Sequence, residues 1–204
     1  MEHPIIFSTA LIPKILDGTK TMTRRVIVPQ PPKEAEVFTW FAPEIKEGKS
    51  PEGCWYEDNN GLKFHCKCPY GQVGDRLIIK EAWRTLGSLD SLAPSELDPA
   101  TSPIFYETND LSNPDPIFDI GRKRSARFMC HWMSRARLEI TELRAERLWE
   151  ISARDCEREG IDGRNMLDPY IKNDFRILWD SINGKRYPWS GNVWVWVISF
   201  KVID

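Results

Sequence analysis

Residues 18–28 read GTKTMTRRVIV, and this stretch decides the fold because a helix has to give way to a strand within it. The preceding residues 11–16 carry apolar side chains at helical spacing, and Gly18 is a typical end for such a helix. From residue 20 onward polar and apolar side chains alternate and β-branched residues are frequent, which predicts a strand over residues 20–28.

The rest of the chain is richer in strands than in helices. Further strands are predicted at residues 5–7, 76–83, 135–143 and 192–202. Helices are predicted at residues 153–159 and 169–183. The second of these has an apolar face made of Ile171, Phe175, Leu178, Trp179 and Ile182. Strands dominate without a regular strand–helix alternation, so the predicted fold class is α+β: a closed, mixed β-barrel with a few packed helices.

Two proline-rich stretches interrupt this pattern, at about residues 29–70 and 87–127. Only short strands are predicted inside them, around residues 37–41, 61–65 and 104–107. We interpret both as long insertions, so that residues 1–204 form a single domain.

Composition limits the classes of function. The formal net charge of −2 means that any nucleic-acid surface must come from local clustering of cations. No apolar run has the length of a membrane span, and the N-terminus lacks the pattern of a secretory signal. Five cysteines at irregular spacing favour reduced thiols in a cytoplasm over a disulfide scaffold. Cys66 and Cys68 are too close in sequence for a typical zinc pair, so no metal and no cofactor is predicted.

The strand that follows Gly18 carries the strongest chemical signal. Thr23 and Arg25 share one of its faces, and Lys20 and Arg24 share the other. Cations next to hydroxyls suit a phosphate, a carboxylate or the edge of a base. Solvated strand charges are the alternative interpretation.

Three short motifs occur in an order that is similar to the ASCH domain of the PUA-like superfamily. Gly18, Lys20 and Arg25 match that family's Gly-x-Lys-x-x-Glu-x-Arg pattern, with Thr23 in place of Glu. A Gly-Asp pair at residues 74–75 precedes a strand, as in the family, and residues 152–160 resemble its stretch ending in Glu-Gly. The chain especially resembles the longer phage and prophage-encoded ASCH-like proteins, and this implies a PUA-like barrel.

The resemblance implies several activities. Family members include proposed RNA-binding proteins, some with nuclease activity, and one bacterial branch that hydrolyses the amide of N4-acetylcytidine. That branch uses a lysine and a threonine three residues later, which match Lys20 and Thr23, together with a glutamate that Glu159 best matches. Thr23 is then the nucleophile, Lys20 the base that takes its proton, and Arg24 and Arg25 bind substrate. A structural salt bridge between Lys20 and Glu159 is the alternative.

A second signal is the basic segment at residues 122–137, which also contains an aromatic residue and hydroxyls. Such a mixture suits contact with phosphates and stacking on bases. In the phage group that the chain resembles, this segment lies next to the barrel mouth, so Trp132, Ser134 and Arg135 are further binding candidates. The other interpretation is a charged loop that leads into a half-exposed strand.

The predicted function is therefore recognition of RNA or of a modified pyrimidine nucleoside in a basic cleft. Hydrolysis of the N4-acyl amide of N4-acetylcytidine is the most specific reaction that this hypothesis offers. The alternatives are a non-catalytic RNA-binding module, such as a phage or prophage accessory factor, and a ribonuclease that uses the same cleft.

Overall fold

The computed structural model describes residues 1–31, 37–39, 54–57, 63–108, 119–162 and 168–203. The strands are β1 (Glu2–Ile6), β2 (Met22–Val26), β3 (Val37–Thr39), β4 (Cys54–Glu57), β5 (Lys63–Cys66), β6 (Arg76–Lys80), β7 (Trp83–Arg84), β8 (Phe105–Tyr106), β9 (Arg137–Arg147) and β10 (Trp194–Val202). The α-helices are α1 (Ile12–Leu16), α2 (Ala153–Arg158) and α3 (Asp168–Asn183). Short 3-10 turns lie at Thr9–Leu11, Gly87–Leu89, Pro94–Glu96, Ala126–Phe128, His131–Met133, Leu148–Glu150 and Trp189–Gly191.

A mixed five-stranded sheet forms the centre of the fold, in the order β1-β6-β9-β10-β2. β1 and β6 run parallel, and the other neighbours are antiparallel. The predicted α+β class with a mixed sheet and few helices is therefore confirmed. β9 continues four residues beyond its predicted end because it pairs with β10 along nearly the whole of that strand.

β10 holds the two halves of the core together, because its alternate side chains enter different clusters. Trp196 and Ile198 pack into a cluster with β1, β6 and α1. Val195 and Val197 pack on the other face, against α2 and α3. The sequence pattern, apolar on both faces, predicted that this strand is covered on both sides, and the burial confirms it.

The two edge strands of the sheet, β1 and β2, approach each other at one end. Among the described residues no ladder pairs them, and the guanidinium of Arg25 spans the gap by donating to the Ile6 carbonyl oxygen at 2.9 Å. Closure into a barrel thus stays a prediction. Gly18, with φ of +79°, ends the turn after α1 and starts the chain into β2, as the sequence predicts.

The insertions form small sheets of their own. β3, β4 and β5 make a three-stranded antiparallel sheet in the first insertion, of which β4 has no counterpart in the sequence prediction. In the second insertion, β8 pairs with β7, which lies just before the insertion. The single strand predicted at residues 76–83 is wrong, because the chain leaves the main sheet after Lys80 and pairs elsewhere from Trp83. Residues 40–41 and 61–62, at the ends of two predicted strands, lie outside the described residues.

In the part of the chain that the structure describes, no helix is both long enough and apolar enough to cross a membrane.

Candidate functional site

A cavity of about 290 Å³ lies beside β2, at the gap between the two edge strands. Its polar part is made by Lys20, Thr23, Arg24, Arg25 and Glu159, the five residues that the sequence analysis placed around the predicted chemistry. Its other lining residues are Ile6, Phe7, Ser8, Leu11, Phe175, Leu178, Trp179, Ile182 and Asn183. The convergence of Lys20 and Glu159, which are 139 residues apart, is the central geometric result.

Lys20 is buried, and three acceptors surround its ammonium. Its Nζ donates to the main-chain oxygens of Met22 and Glu159, at 2.8 and 2.7 Å, and to Glu159 Oε2 at 2.6 Å. Burial lowers the pKa of Lys20 below its ordinary value, against the opposing effect of the Glu159 carboxylate. Lys20 and Glu159 thus form a buried ion pair in which one proton is shared across a short hydrogen bond between Nζ and Oε2.

Helix α2 brings Glu159 to this position. Ser152 caps its first turn by accepting from the Asp155 N–H at 3.1 Å, and Gly160 follows its end with φ of +88°. A Cβ on Gly160 would lie 3.3 Å from Lys20 Cβ, so the absence of a side chain lets the end of α2 pack directly on the lysine. The predicted helix between Ser152 and Gly160 is thus confirmed.

Arg24 connects three carboxylates below the cavity. Its guanidinium donates to Glu146 (Nε, 3.1 Å), Asp155 (Nη2, 2.9 Å) and Glu159 (Nη1, 3.3 Å). Burial lowers the pKa of Arg24, but the three carboxylates outweigh burial and hold it above its ordinary value. Arg24 is therefore a fixed cation that orients Glu159 from the side opposite to Lys20.

The polar end of the cavity is close to electrically balanced, which differs from the predicted basic cleft. Arg144 joins the network through Glu146, at 3.0 Å, and Asp155, at 3.2 Å. Lys20, Arg24 and Arg144 together face Glu142, Glu146, Asp155 and Glu159, three cations against four anions. Arg25 is the additional cation, and it forms no ion pair with a described carboxylate.

Arg25 instead contacts Thr23. Its Nη1 donates to Thr23 Oγ1 at 2.7 Å and to the Arg24 carbonyl oxygen at 3.1 Å. The guanidinium also lies over the Phe7 ring, 4.9 Å from its centroid. Burial lowers the pKa of Arg25, with opposing effects from Tyr70 and Glu159. The Thr23 hydroxyl thus accepts one hydrogen bond from a well-held cation, and its own hydrogen has no acceptor among the described residues.

The cavity walls are apolar and contain several rings. Phe7, from the end of β1, and Phe175 and Trp179, from α3, are almost completely buried. Ile182, one turn further along α3, is 57% exposed and lies at the mouth. Asn183 adds a carboxamide where α3 ends. A flat, mostly apolar ligand whose polar edge reaches the charged end fits such a lining.

Trp132, Ser134 and Arg135 do not line this cavity. Arg135 forms a two-pronged ion pair with the buried Glu81, at 2.9 and 3.0 Å, and packs on the Tyr106 ring at 4.2 Å. The Ser134 hydroxyl lies 2.8 Å from the Ile79 carbonyl oxygen, and Trp132 is partly exposed. These contacts tie the segment that precedes β9 to β6, to Glu81 and to Tyr106 of the second insertion, and binding of nucleic acid by the three residues stays a prediction.

Part of the site was not among the residues predicted from the sequence. Asp155 carried a usable signal, because it stands four residues before Glu159 on one helix and so shares its face. Glu146 lay beyond the predicted end of its strand. Phe175 and Trp179 were recognised as an apolar face, but a helical pattern does not tell a packed face from a cavity wall. Asn183 gave no signal.

Among the described segments, no group of three or more His, Cys, Asp or Glu side chains could hold a metal ion. Compared with family models, with curated proteins and with solved structures, the chain matches none of them.

Proposed function

We propose that this chain is an ASCH-like protein with a PUA-like barrel, related to the longer phage and prophage-encoded members. The order of its motifs supports this. The Lys20–Thr23–Arg25 strand follows α1, the Gly74-Asp75 turn precedes β6, and the Glu159-Gly160 end of α2 packs beside Lys20.

For its function we propose recognition of a modified pyrimidine nucleoside followed by hydrolysis of the N4-acyl amide, as in N4-acetylcytidine. One observation carries this proposal: Lys20, Thr23 and Glu159 come from two distant parts of the chain and line one cavity. A nucleophile, a base and an acid in reach of one substrate are what acyl transfer requires.

The cavity suits a pyrimidine ring in size and polarity. Its volume of about 290 Å³ is at the lower end of the range for small-ligand pockets. Phe7, Phe175 and Trp179 offer apolar and aromatic surface to a flat ring. The exocyclic amide of the base would then point to the charged end, where Thr23 lies.

In the first step, Thr23 Oγ1 forms a bond to the acyl carbon, and the bond from that carbon to N4 breaks. The Thr23 proton goes to Lys20 Nζ in its neutral form, which burial favours. In that state Glu159 carries the proton that crosses the 2.6 Å hydrogen bond from Lys20, and it gives this proton to the departing N4. Arg25 stabilises the negative charge that develops on the Thr23 oxygen.

In the second step, water attacks the acyl–threonine ester. The water proton goes to Glu159, the carbon–Oγ1 bond breaks, and Lys20 returns a proton to Thr23. The products are cytidine and the carboxylic acid, and the proton taken up by Glu159 recrosses the 2.6 Å hydrogen bond to Lys20, which restores the ion pair. Lys20 makes no hydrogen bond to Thr23 among its described contacts, and catalytic hydrogen bonds often close only when substrate is bound.

Recognition without hydrolysis is the second candidate, and the contacts of Lys20 favour it. All three ammonium hydrogens have acceptors, as expected for a structural ion pair. A non-catalytic pocket for a modified base, in a nucleoside or in RNA, would keep this pair intact.

The test is incubation of the purified protein with N4-acetylcytidine and detection of cytidine by chromatography. We expect Thr23→Val to lower kcat at least about a thousandfold, because the nucleophile is lost. Thr21→Val is the matched control, since Thr21 is on the same segment outside the cavity, and it should keep the wild-type rate. Binding without turnover by the wild type would remove the hydrolase in favour of recognition alone.

Mass spectrometry gives a second readout. A rapidly quenched reaction should show an acetyl group on the peptide that contains Thr23, and Thr23→Ser should retain it. Turnover without any acylated Thr23 in quenched samples, and unaffected by Thr23→Val, would assign the reaction to a different nucleophile.

A further inference from the structure

A second cavity lies outside the site around Thr23, between residues 91–94 and 122–128, and has a volume of about 490 Å³. We call it the 91/122 groove. Its charged lining residues are Arg122, Lys123 and Arg124, and no carboxylate is among the described residues that line it. Ser91, Leu92, Ala93, Pro94, Ser125 and Phe128 complete the lining.

Asp90 holds the two walls of the groove together from behind. Its carboxylate accepts from the Arg122 main-chain N–H at 2.8 Å, and its carbonyl accepts from Arg122 Nη2 at 2.9 Å. A Cβ on Gly121 would lie 2.6 Å from Asp90 Oδ1, so this close approach needs glycine. The cations are therefore presented by a fixed turn and not by a loose loop.

Arg124 forms the floor of the groove and is 7% exposed. It donates to the carbonyl oxygens of Leu92 and Leu89, both at 2.9 Å, and lies over the Trp83 ring at 5.1 Å. Its Nε is buried without a hydrogen-bond partner among the described residues. Arg124 Nη2 also lies 3.7 Å from the Asp90 carboxylate, so Arg124 is a structural part of the floor and the charge available to a ligand comes from its neighbours.

Arg122 and Lys123 supply the accessible charge. Arg122 is exposed and forms no ion pair with a described carboxylate. The side chain of Lys123 is 54% exposed and pairs with Glu107 at 3.0 Å, a carboxylate that Arg84 also contacts. Since two cations share that one carboxylate, Lys123 keeps positive charge to offer to a phosphate.

Phe128 gives the groove an exposed aromatic face. It is 58% exposed, which is unusual for phenylalanine, and it follows the basic residues within one short turn. Ser91 and Ser125 place hydroxyls in the same lining. Cations for phosphates, hydroxyls for sugar or phosphate oxygens, and a ring for stacking are the groups that recognise a nucleotide.

We propose that the 91/122 groove binds a nucleotide, with the phosphate on Arg122 and Lys123 and the base stacked on Phe128. The nucleotide is either free or part of a single strand, because both present the same phosphate and ring. This site is separate from the cavity around Thr23 and does not depend on the reaction proposed there.

The test measures binding of two probes to the full chain. Adenosine 5′-monophosphate, whose purine base differs from the pyrimidine proposed for the cavity around Thr23, is titrated by calorimetry. A fluorescent oligoadenylate RNA ten-mer is followed by anisotropy at several salt concentrations. Affinity for the ten-mer alone identifies a strand as the ligand, and comparable affinity for the mononucleotide identifies a free nucleotide. Binding of neither probe by the wild type overturns the proposal.

Matched variants locate the binding. We expect Lys123→Ala to weaken binding and to reduce the salt dependence by one phosphate contact. Lys201→Ala is its control, because the Lys201 side chain is 58% exposed and has a similar ion pair, with Glu139 at 3.1 Å. Phe128→Ala should weaken binding at least about fivefold, whereas Tyr170→Ala, at a residue 57% exposed, should not.

Two further variants separate this proposal from the hydrolase. Phe128→Tyr keeps an aromatic face and should restore binding lost in Phe128→Ala. Thr23→Ala should bind both probes like the wild type, whatever it does to amide hydrolysis. Two results would overturn a nucleotide site in this groove. One is that the Lys123 and Phe128 variants bind the probes as tightly as their controls. The other is that Thr23→Ala no longer binds the probes.

Discussion

Replacing Glu159 by glutamine should destabilise the protein through Lys20. The substitution leaves the Lys20 ammonium with the main-chain oxygens of Met22 and Glu159 but takes away the carboxylate at 2.6 Å. Arg24 keeps its contacts with Glu146 and Asp155, so its loss is smaller. Removing one partner of a buried pair costs about 3–5 kcal/mol, and because an amide oxygen still accepts, we expect about 3 kcal/mol.

The loss should depend on pH in a defined direction. In the wild type, burial lowers the pKa of Lys20 and Glu159 partly restores it, so Glu159→Gln lowers this pKa further. Between that lowered value and the unfolded value of 10.5, the unfolded chain binds more protons, and stability rises with pH. The deficit of Glu159→Gln relative to wild type is therefore largest at a pH where Lys20 is protonated in both folded proteins, and it shrinks as the pH rises through the lower Lys20 pKa of the variant.

Urea denaturation at several pH values measures both effects. Glu157→Gln is the matched control, because Glu157 is on the same helix and forms no ion pair among the described residues. Lys20→Met in the Glu159→Gln background should recover part of the lost free energy of unfolding, since no unpaired ammonium remains. A deficit below about 1 kcal/mol, or one that is constant with pH, would refute the reasoning.

Three further predictions concern other parts of the molecule. Gly160→Ala should lower the free energy of unfolding by about 1–2 kcal/mol, because φ is +88° there and the new methyl meets Lys20; an unchanged Tm would contradict this. Burial raises the pKa of Cys68 to about 12, so iodoacetamide at about pH 8 should modify Cys68 only after denaturation. Peptide mass spectra measure the labelling, and rapid modification of Cys68 in the native protein would contradict the prediction. Arg135→Ala should cost about 3–5 kcal/mol in urea denaturation because it leaves Glu81 buried and unpaired, with Arg135→Lys losing less; a cost under about 1 kcal/mol would mean that this pair is not needed.

The fold class was predictable because its signals are local. Alternation marked β2 and β9, and capping residues marked α2. The split between β6 and β7 was not predictable, because β7 pairs with β8 and Glu81, between the two strands, pairs with Arg135, which lies 54 residues further along the chain. A local pattern contains no information about such a partner.

The site was predictable in its polar part for a similar reason. Lys20, Thr23, Arg24 and Arg25 are neighbours in sequence, whereas Glu159 was found only through the family resemblance. The balance of charge was not predictable, because the carboxylates that neutralise Arg24 and Lys20 come from β9 and α2. Cationic residues in a sequence predict a basic surface only when no acidic residues from elsewhere in the chain pair with them in the fold.

The position of the cavity between β1 and β2 has a consequence for the exchange of ligands. Among the described residues, β1 and β2 share no main-chain hydrogen bonds, and the Arg25 side chain bridges the gap between them. A molecule that enters there therefore does not disrupt the pairing of the sheet. Opening then needs rotamer changes, which take picoseconds to nanoseconds in exposed residues such as Ile6 and Ile182. Substitutions at the mouth should therefore alter access and the choice of ligand while the architecture of the sheet keeps its stability.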